Sequence, residues 1–204
     1  MNRRLALAAC SALWMLSFPA MAQENPGTPV RVRGIIEKVE EGMLTVRSRE
    51  NETVKLATNE KTGYASIKGL QFADIKPNSY VGVAGRPLAG GGIEAIEVLV
   101  FPEAARGTGE GHRDWDLLPN SSMTNATVTA AVSSTAARSI DVAYHGKQQT
   151  IRVPEHVPVV TFLPATGKDA APGLTVFISA LKDATGKLTA SRVVMEKDGV
   201  KPPM

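Results

Sequence analysis

Glu110, His112, Asp114 and Asp116 recur at every second position, so in an extended chain they point the same way. One imidazole and up to three carboxylates suit a divalent ion such as zinc or manganese. The spacing works against it. Same-side residues on a strand stand about 6.5 to 7 Å apart, Arg113 interrupts the negative charge, and four ligands from one extended run do not close around one ion. The run is a metal candidate by ligand type and not by geometry. Gly107-Thr-Gly-Glu-Gly111 has the composition of a phosphate-binding loop but lacks the following Lys-Ser/Thr and the strand-to-helix setting, so it reads as a hinge or turn. His145 falls in a turn, Tyr144-His-Gly-Lys147, and His156 sits between Pro154 and Pro158. Neither has a Ser or Cys beside it in a nucleophile setting. The sole cysteine, Cys10, precedes the folded part, which removes thiolate chemistry and internal disulfides. With no His-Glu-x-x-His pair and no dinucleotide fingerprint, the residues point to no enzyme, no catalytic residue and no cofactor.

The element that must hold these residues is a segment over 102–124, too long for an ordinary connection. Trp115 stands there beside Leu117, Leu118 and Met123, apolar surface enough to anchor an ordered strap onto its neighbours. Arg106 and Trp115 are its candidates for contact with a partner.

The chain has 204 residues, with 43% hydrophobic and 21% charged positions, the balance of a globular protein. Asn2-Arg3-Arg4, the apolar run Leu5 to Leu16 and the small-x-small ending at Ala22 form the pattern of a secretory signal peptide over 1–22. The apolar run is too short for a membrane span. Leu7-Ala8-Ala9-Cys10 mimics a lipoprotein box with too little apolar core upstream. Export, to a periplasm in a two-membrane bacterium, is the expectation, with no transmembrane segment afterwards. Removing Arg3 and Arg4 takes the net charge from +3 to 21 basic against 20 acidic residues, which leaves no basic footprint for nucleic acid.

The remainder repeats itself at an offset of about 95 residues, a spacing that indicates a duplicated unit. Asp74-Ile-Lys-Pro77 answers Asp169-Ala-Ala-Pro172, and Gly92-Ile-Glu-Ala95 answers Lys187-Leu-Thr-Ala190. Apolar residues alternate, as in Val30, Val32 and Ile36 opposite Arg31, Arg33 and Glu37, so each unit is a set of half-buried strands. In the last strand of each unit the phase slips by one, after Ala95 and after Ala190, and one extra residue at the same place in both predicts a β-bulge. Gly42 and Gly90-Gly91-Gly92 mark hairpin turns. Five strands per unit, with a non-strand excursion between the third and fourth, predict an all-β protein of two tandem small OB-like β-barrels, over 30–101 and 125–199, joined by the packed strap. Arg31, Arg33, Arg47 and Arg49, interleaved with glutamates, read as a solvated mixed-charge face. The strands that carry aromatic platforms in nucleic-acid-binding barrels hold only Tyr144.

Ala73-Asp-Ile-Lys-Pro-Asn78, Phe101-Pro-Glu-Ala-Ala-Arg-Gly-Thr-Gly-Glu-Gly-His112, Trp115-Asp-Leu-Leu118, Met123-Thr-Asn-Ala-Thr-Val128 and the ending Asp198-Gly-Val-Lys-Pro-Pro-Met204 resemble a family of bacterial exported proteins built from tandem OB-like repeats, of unknown function. The resemblance implies the fold and export and carries over no catalytic residue. Relatives often bear the label of a metal transporter permease, which requires several spanning helices that this sequence lacks. The functional expectation is an exported, non-enzymatic binding or interaction module of the cell envelope, contacting an unknown envelope protein or polymer. The alternative is a periplasmic divalent-metal-binding protein using the strap around His112.

Overall fold

The structure is a computed structural model describing residues 27–133 and 138–202; the signal-peptide reading lies outside the described residues. The first half forms β1 (Thr28–Glu40), β2 (Met43–Ser48), β3 (Thr53–Ala57), β4 (Gly63–Leu70), β5 (Tyr80–Pro87) and β6 (Ile93–Val100). β7 (Gly111–Trp115) lies in the strap. β8 (Ser121–Ser133), β9 (Arg138–Tyr144), β10 (Lys147–Arg152), β11 (Val159–Pro164), β12 (Thr175–Lys182) and β13 (Leu188–Met195) complete the chain. No helix among the described residues is long and apolar enough to cross a membrane.

The strands close into two five-membered rings. In ring 1, β1 pairs β2, β2 pairs β3, β3 runs parallel to β13, β13 pairs β12, and β12 returns to β1. Ring 2 repeats that circuit with β8, β9, β10, β6 and β5, its parallel contact falling between β10 and β6. Both are OB-like barrels. Their composition differs from the expected one barrel over 30–101 and another over 125–199: each ring takes three strands from one half of the chain and two from the other. The cause is the stretch read as a non-strand excursion, which is itself a strand in both halves. β4 runs parallel to β13 and antiparallel to β11, and β11 runs parallel to β6. The two strands lie between the rings and carry the chain across. Neither alternates cleanly, because both of their faces meet protein; Ala65, Ser66 and Ile67 are consecutive and all buried.

Each ring encloses its own core. Val32, Ile36, Leu44, Val46 and Leu56 pack on Val176, Ile178, Ala190, Val193 and Met195 in ring 1, while Val81, Val83, Ile93 and Val98 pack on Val128, Ile140, Val142 and Ile151 in ring 2. A third cluster lies between the rings, where Ile67, Leu99, Val160, Phe177 and Val194 meet Phe101, Trp115 and Phe162. The two foreseen bulges are present: the register slips at Ile96 in the β5–β6 pair and at Ser191 in the β12–β13 pair. The repeated Asp-x-x-Pro motif has a local cause as well. Asp74 Oδ2 accepts from Gln71 N at 2.8 Å and Asp169 Oδ2 from Thr166 N at 2.7 Å, closing the 3-10 turn that precedes the fourth ring strand in each half.

Gly34 marks where β1 bends from one neighbour to the other, since it faces Val176 on β12 and Ser48 on β2. A Cβ there would drive into the Arg47 carbonyl oxygen and stand 2.9 Å from Ser48 Cα. These are backbone atoms that cannot swing aside. Gly34→Ala is therefore expected to lower the unfolding free energy by about 3 kcal/mol, to be read as a shift in urea midpoint; a midpoint equal to wild type would show that β1 has room at the bend.

Candidate functional site

The strap runs from Pro102 to Asn120, since Ser121 to Thr124 belong to β8 rather than to the connection. It clamps both rings. β7 adds to the edge of β8 from Gly111↔Asn125 to Trp115↔Ser121. At its far end, Asp116 accepts from Arg33 at 2.7 Å and Arg31 at 3.4 Å, and Arg49 donates to the carbonyls of Asp116 and Leu117 at 3.0 and 3.1 Å. Partial burial alone would raise the Asp116 carboxyl, but the Arg33 hydrogen bond and the two positive charges outweigh it and hold the group below the usual range. Arg31, Arg33 and Arg49 thus serve as the seat of the strap on ring 1, which corrects the reading of a purely solvated face. Arg47 does pair outward, with Glu37 at 2.7 Å.

The four metal candidates do not converge. Glu110 accepts from His145 N at 3.0 Å, His112 Nδ1 lies 2.8 Å from Thr124 Oγ1, and Asp116 is held by the arginines. His112 shares one surface groove with Asp114 and another with Glu110, and no groove gathers three of the four. Among the described residues no three His, Cys, Asp or Glu side chains group as an ion site, because an extended strand spaces its same-side residues too widely. Of the two partner-contact candidates, Arg106 is engaged within the protein, with Glu103 at 2.5 Å and the Asn78 carbonyl at 2.8 Å. Trp115 is half-buried between the rings, 6.4 Å from Phe177 and under the Arg31 guanidinium at 4.0 Å.

Trp115 instead helps to enclose a pocket of about 180 Å³ between the barrels. Ring 2 contributes Gly82, Glu97, Leu99 and Asn125; ring 1 contributes Phe177, Arg192 and Val194; Phe162 comes from β11. Phe101, Thr108, Arg113 and Trp115 line the strap side. Glu97 reaches it through the β6 bulge. Were β6 to alternate regularly through Ile96, Glu97 would share the face of Ile93 and Ala95 and point into the ring core. With it, Val98 turns into the core while Glu97 and Leu99 face the other barrel. The bulge at Ser191 does the same for Arg192, the residue that stands at the matching place in β13.

Glu97 is 1% exposed. Burial pushes its carboxyl up to about 8 from the ordinary 4.5, against a smaller pull from the Arg33 charge, so it is largely protonated at neutral pH. Neither of its oxygens has a hydrogen-bond partner among the described residues. Asn125 Nδ2 donates to Thr108 O at 2.8 Å, which fixes the amide so that Oδ1 is left without a donor. Trp115 Nε1 lacks an acceptor. These four are the buried side-chain atoms without partners among the described residues, and all three residues line this one pocket. Buried polar groups are ordinarily satisfied, so their concentration sets the pocket apart. Burial also lowers the affinity of the Arg113 and Arg192 guanidiniums for their protons. Arg192 lies over the Phe162 ring at 4.4 Å and Arg33 over Phe177 at 5.1 Å.

Sequence reasoning missed Glu97, Asn125, Arg113 and Arg192. The available signal was the bulge itself: carrying the phase past Ile96 puts Glu97 opposite the core, where it reads as solvent-facing until the second barrel covers it. Comparisons with protein-family models, with curated proteins and with solved structures returned no match.

Proposed function

We propose that this chain is an exported, non-enzymatic binding module of the bacterial cell envelope whose ligand site is the pocket between its two OB-like barrels. The observation that carries this reading is the gathering of Glu97, Asn125 and Trp115 around one aromatic-walled space, each with a polar atom that no group among the described residues satisfies. Sites for small molecules have this make-up, mostly apolar with a few converging polar groups. The lining holds no His, Cys or Ser, and the hydroxyl of Thr108 is turned to the Ala105 carbonyl at 2.7 Å, so it offers no free hydroxyl, thiol or imidazole for nucleophilic attack. The strap then has a defined part: it supplies Arg113 and Trp115 as one wall and is fastened to both rings. Export rests on the signal-peptide pattern at 1–22.

Native mass spectrometry of the protein recovered from the envelope fraction tests both parts. The expected result is a polypeptide beginning at Gln23 with a small non-covalent adduct, and loss of the adduct in Gly82→Val. A Cβ at Gly82 would lie 3.0 Å from Asn125 Oδ1 and from Phe101 Cε2, so the larger side chain fills the pocket beside them. An adduct held equally by wild type and Gly82→Val would place the ligand elsewhere, and an unprocessed chain found in the cytosol would refute export.

A further inference from the structure

We infer that the pocket takes a single-ring aromatic molecule carrying a hydroxyl, a phenol-type ligand. This deepens the reading of the pocket as a binding site and rests on it. Size comes first. The space is about 180 Å³, and an apolar cavity of about 150 Å³ in an unrelated protein admits benzene, so one ring with a small substituent fits. The walls are aromatic: Phe101 meets Phe162 edge-on at 6.0 Å and Trp115 lies 6.4 Å from Phe177.

The head group follows from the polar atoms. Asn125 Oδ1 needs a donor, because the Thr108 carbonyl holds its amide nitrogen; the Trp115 indole N–H needs an acceptor. A hydroxyl is one group that supplies both, and the protonated Glu97 carboxyl can take either role beside it. Charge narrows the choice further. Arg113 and Arg192 border the pocket, and guanidiniums already lie over Trp115, Phe162 and Phe177, so an organic cation would meet positive charge where it needs an open ring face. A carboxylate would satisfy the indole but offer Asn125 no proton. The partly negative oxygen of a phenol, with its acidic proton, meets all of these conditions.

The test uses the full chain carrying Trp14→Phe, which leaves Trp115 as the only indole, followed by ¹H–¹⁵N spectroscopy. Phenol, toluene, benzoate and benzyltrimethylammonium are the probes. The expected result is a saturable shift of the Trp115 indole N–H with phenol at concentrations at least tenfold below those needed for the other three. Asn125→Leu should weaken phenol at least tenfold while leaving toluene within about threefold, a contrast that a merely unfolded variant would not give. Equal binding of toluene would overturn the head-group assignment. Tighter binding of benzoate or of the cation would overturn the ligand class while leaving the pocket as a binding site. No shift with any probe would remove the ligand class and the pocket reading together.

Discussion

Residues 27–101 expressed alone should not fold into a monomeric barrel, and mixing them with residues 102–202 should restore a cooperative fold. Ring 1 closes only when β12 and β13 stand between β1 and β3. Removing the second half takes Val176, Ile178, Ala190, Val193 and Met195 from that core and strips Val81, Val83, Ile93 and Val98 of every partner from β8 to β10. Each buried aliphatic side chain contributes roughly 1.5 to 3 kcal/mol, and a domain has only about 5 to 15 kcal/mol in total, so losing half of two cores exceeds what either fragment can sustain. The isolated half has one other way to close a ring, which is to borrow β5 and β6 from a second copy. Circular dichroism and sedimentation at low micromolar concentration distinguish the outcomes. A folded monomer of residues 27–101 would show that the rings assemble within each half after all.

Glu97→Leu should make the protein more stable, by about 4 kcal/mol at pH 8 and above, and should flatten the pH dependence of stability between about 4.5 and 8. The sign follows from the two states. Unfolded, the carboxyl ionises near its ordinary 4.5; folded, burial holds its proton until about 8. Across that window the folded chain binds one more proton than the unfolded chain, so stability falls as pH rises. It is fully present below about 4.5 and levels off above about 8. Leucine removes both the proton and the two oxygens that no group among the described residues satisfies, and apolar replacement of an unpaired buried polar group is commonly stabilising. Glu97→Gln should flatten the slope as well but gain less, because its amide remains without partners. Urea unfolding at pH 5, 7 and 9 measures all three proteins. Wild-type stability that does not fall over this range would mean that Glu97 is solvated. A group so costly to stability, kept at the junction of two barrels, fits a site where binding uses it.

Much of the architecture was legible in the sequence for reasons the structure makes plain. A strand half-buried in a barrel must alternate, so Val30, Val32 and Ile36 declared their face. A bulge must shift the phase, so Ala95 and Ala190 marked both slips. What alternation cannot tell is which strand lies alongside. β5 and β12 offer the same pattern to β1 and β8, and both the one-barrel-per-half reading and the reciprocal one satisfy it. β4 and β11 escaped because strands covered on both faces lose the period of two. Arg33 looked like surface, yet its side chain is 10% exposed once the strap lies on it. The strap itself was read as ordered and packed from Trp115 and its apolar neighbours, and β7 and the arginine seat give that order its cause. The pocket lay beyond reach because its walls come from both rings, β11 and the strap, and none of them marks it alone.

The pocket between the barrels holds Glu97 buried and protonated, and the titration of that carboxyl tests this most directly. With the side-chain carboxyl carbon labelled and followed by NMR from pH 3 to 10, the resonance assigned by Glu97→Gln should hold steady through pH 4.5 and titrate near 8. A midpoint between 4 and 5 would mean that water reaches the carboxylate freely, and the site described here would not exist.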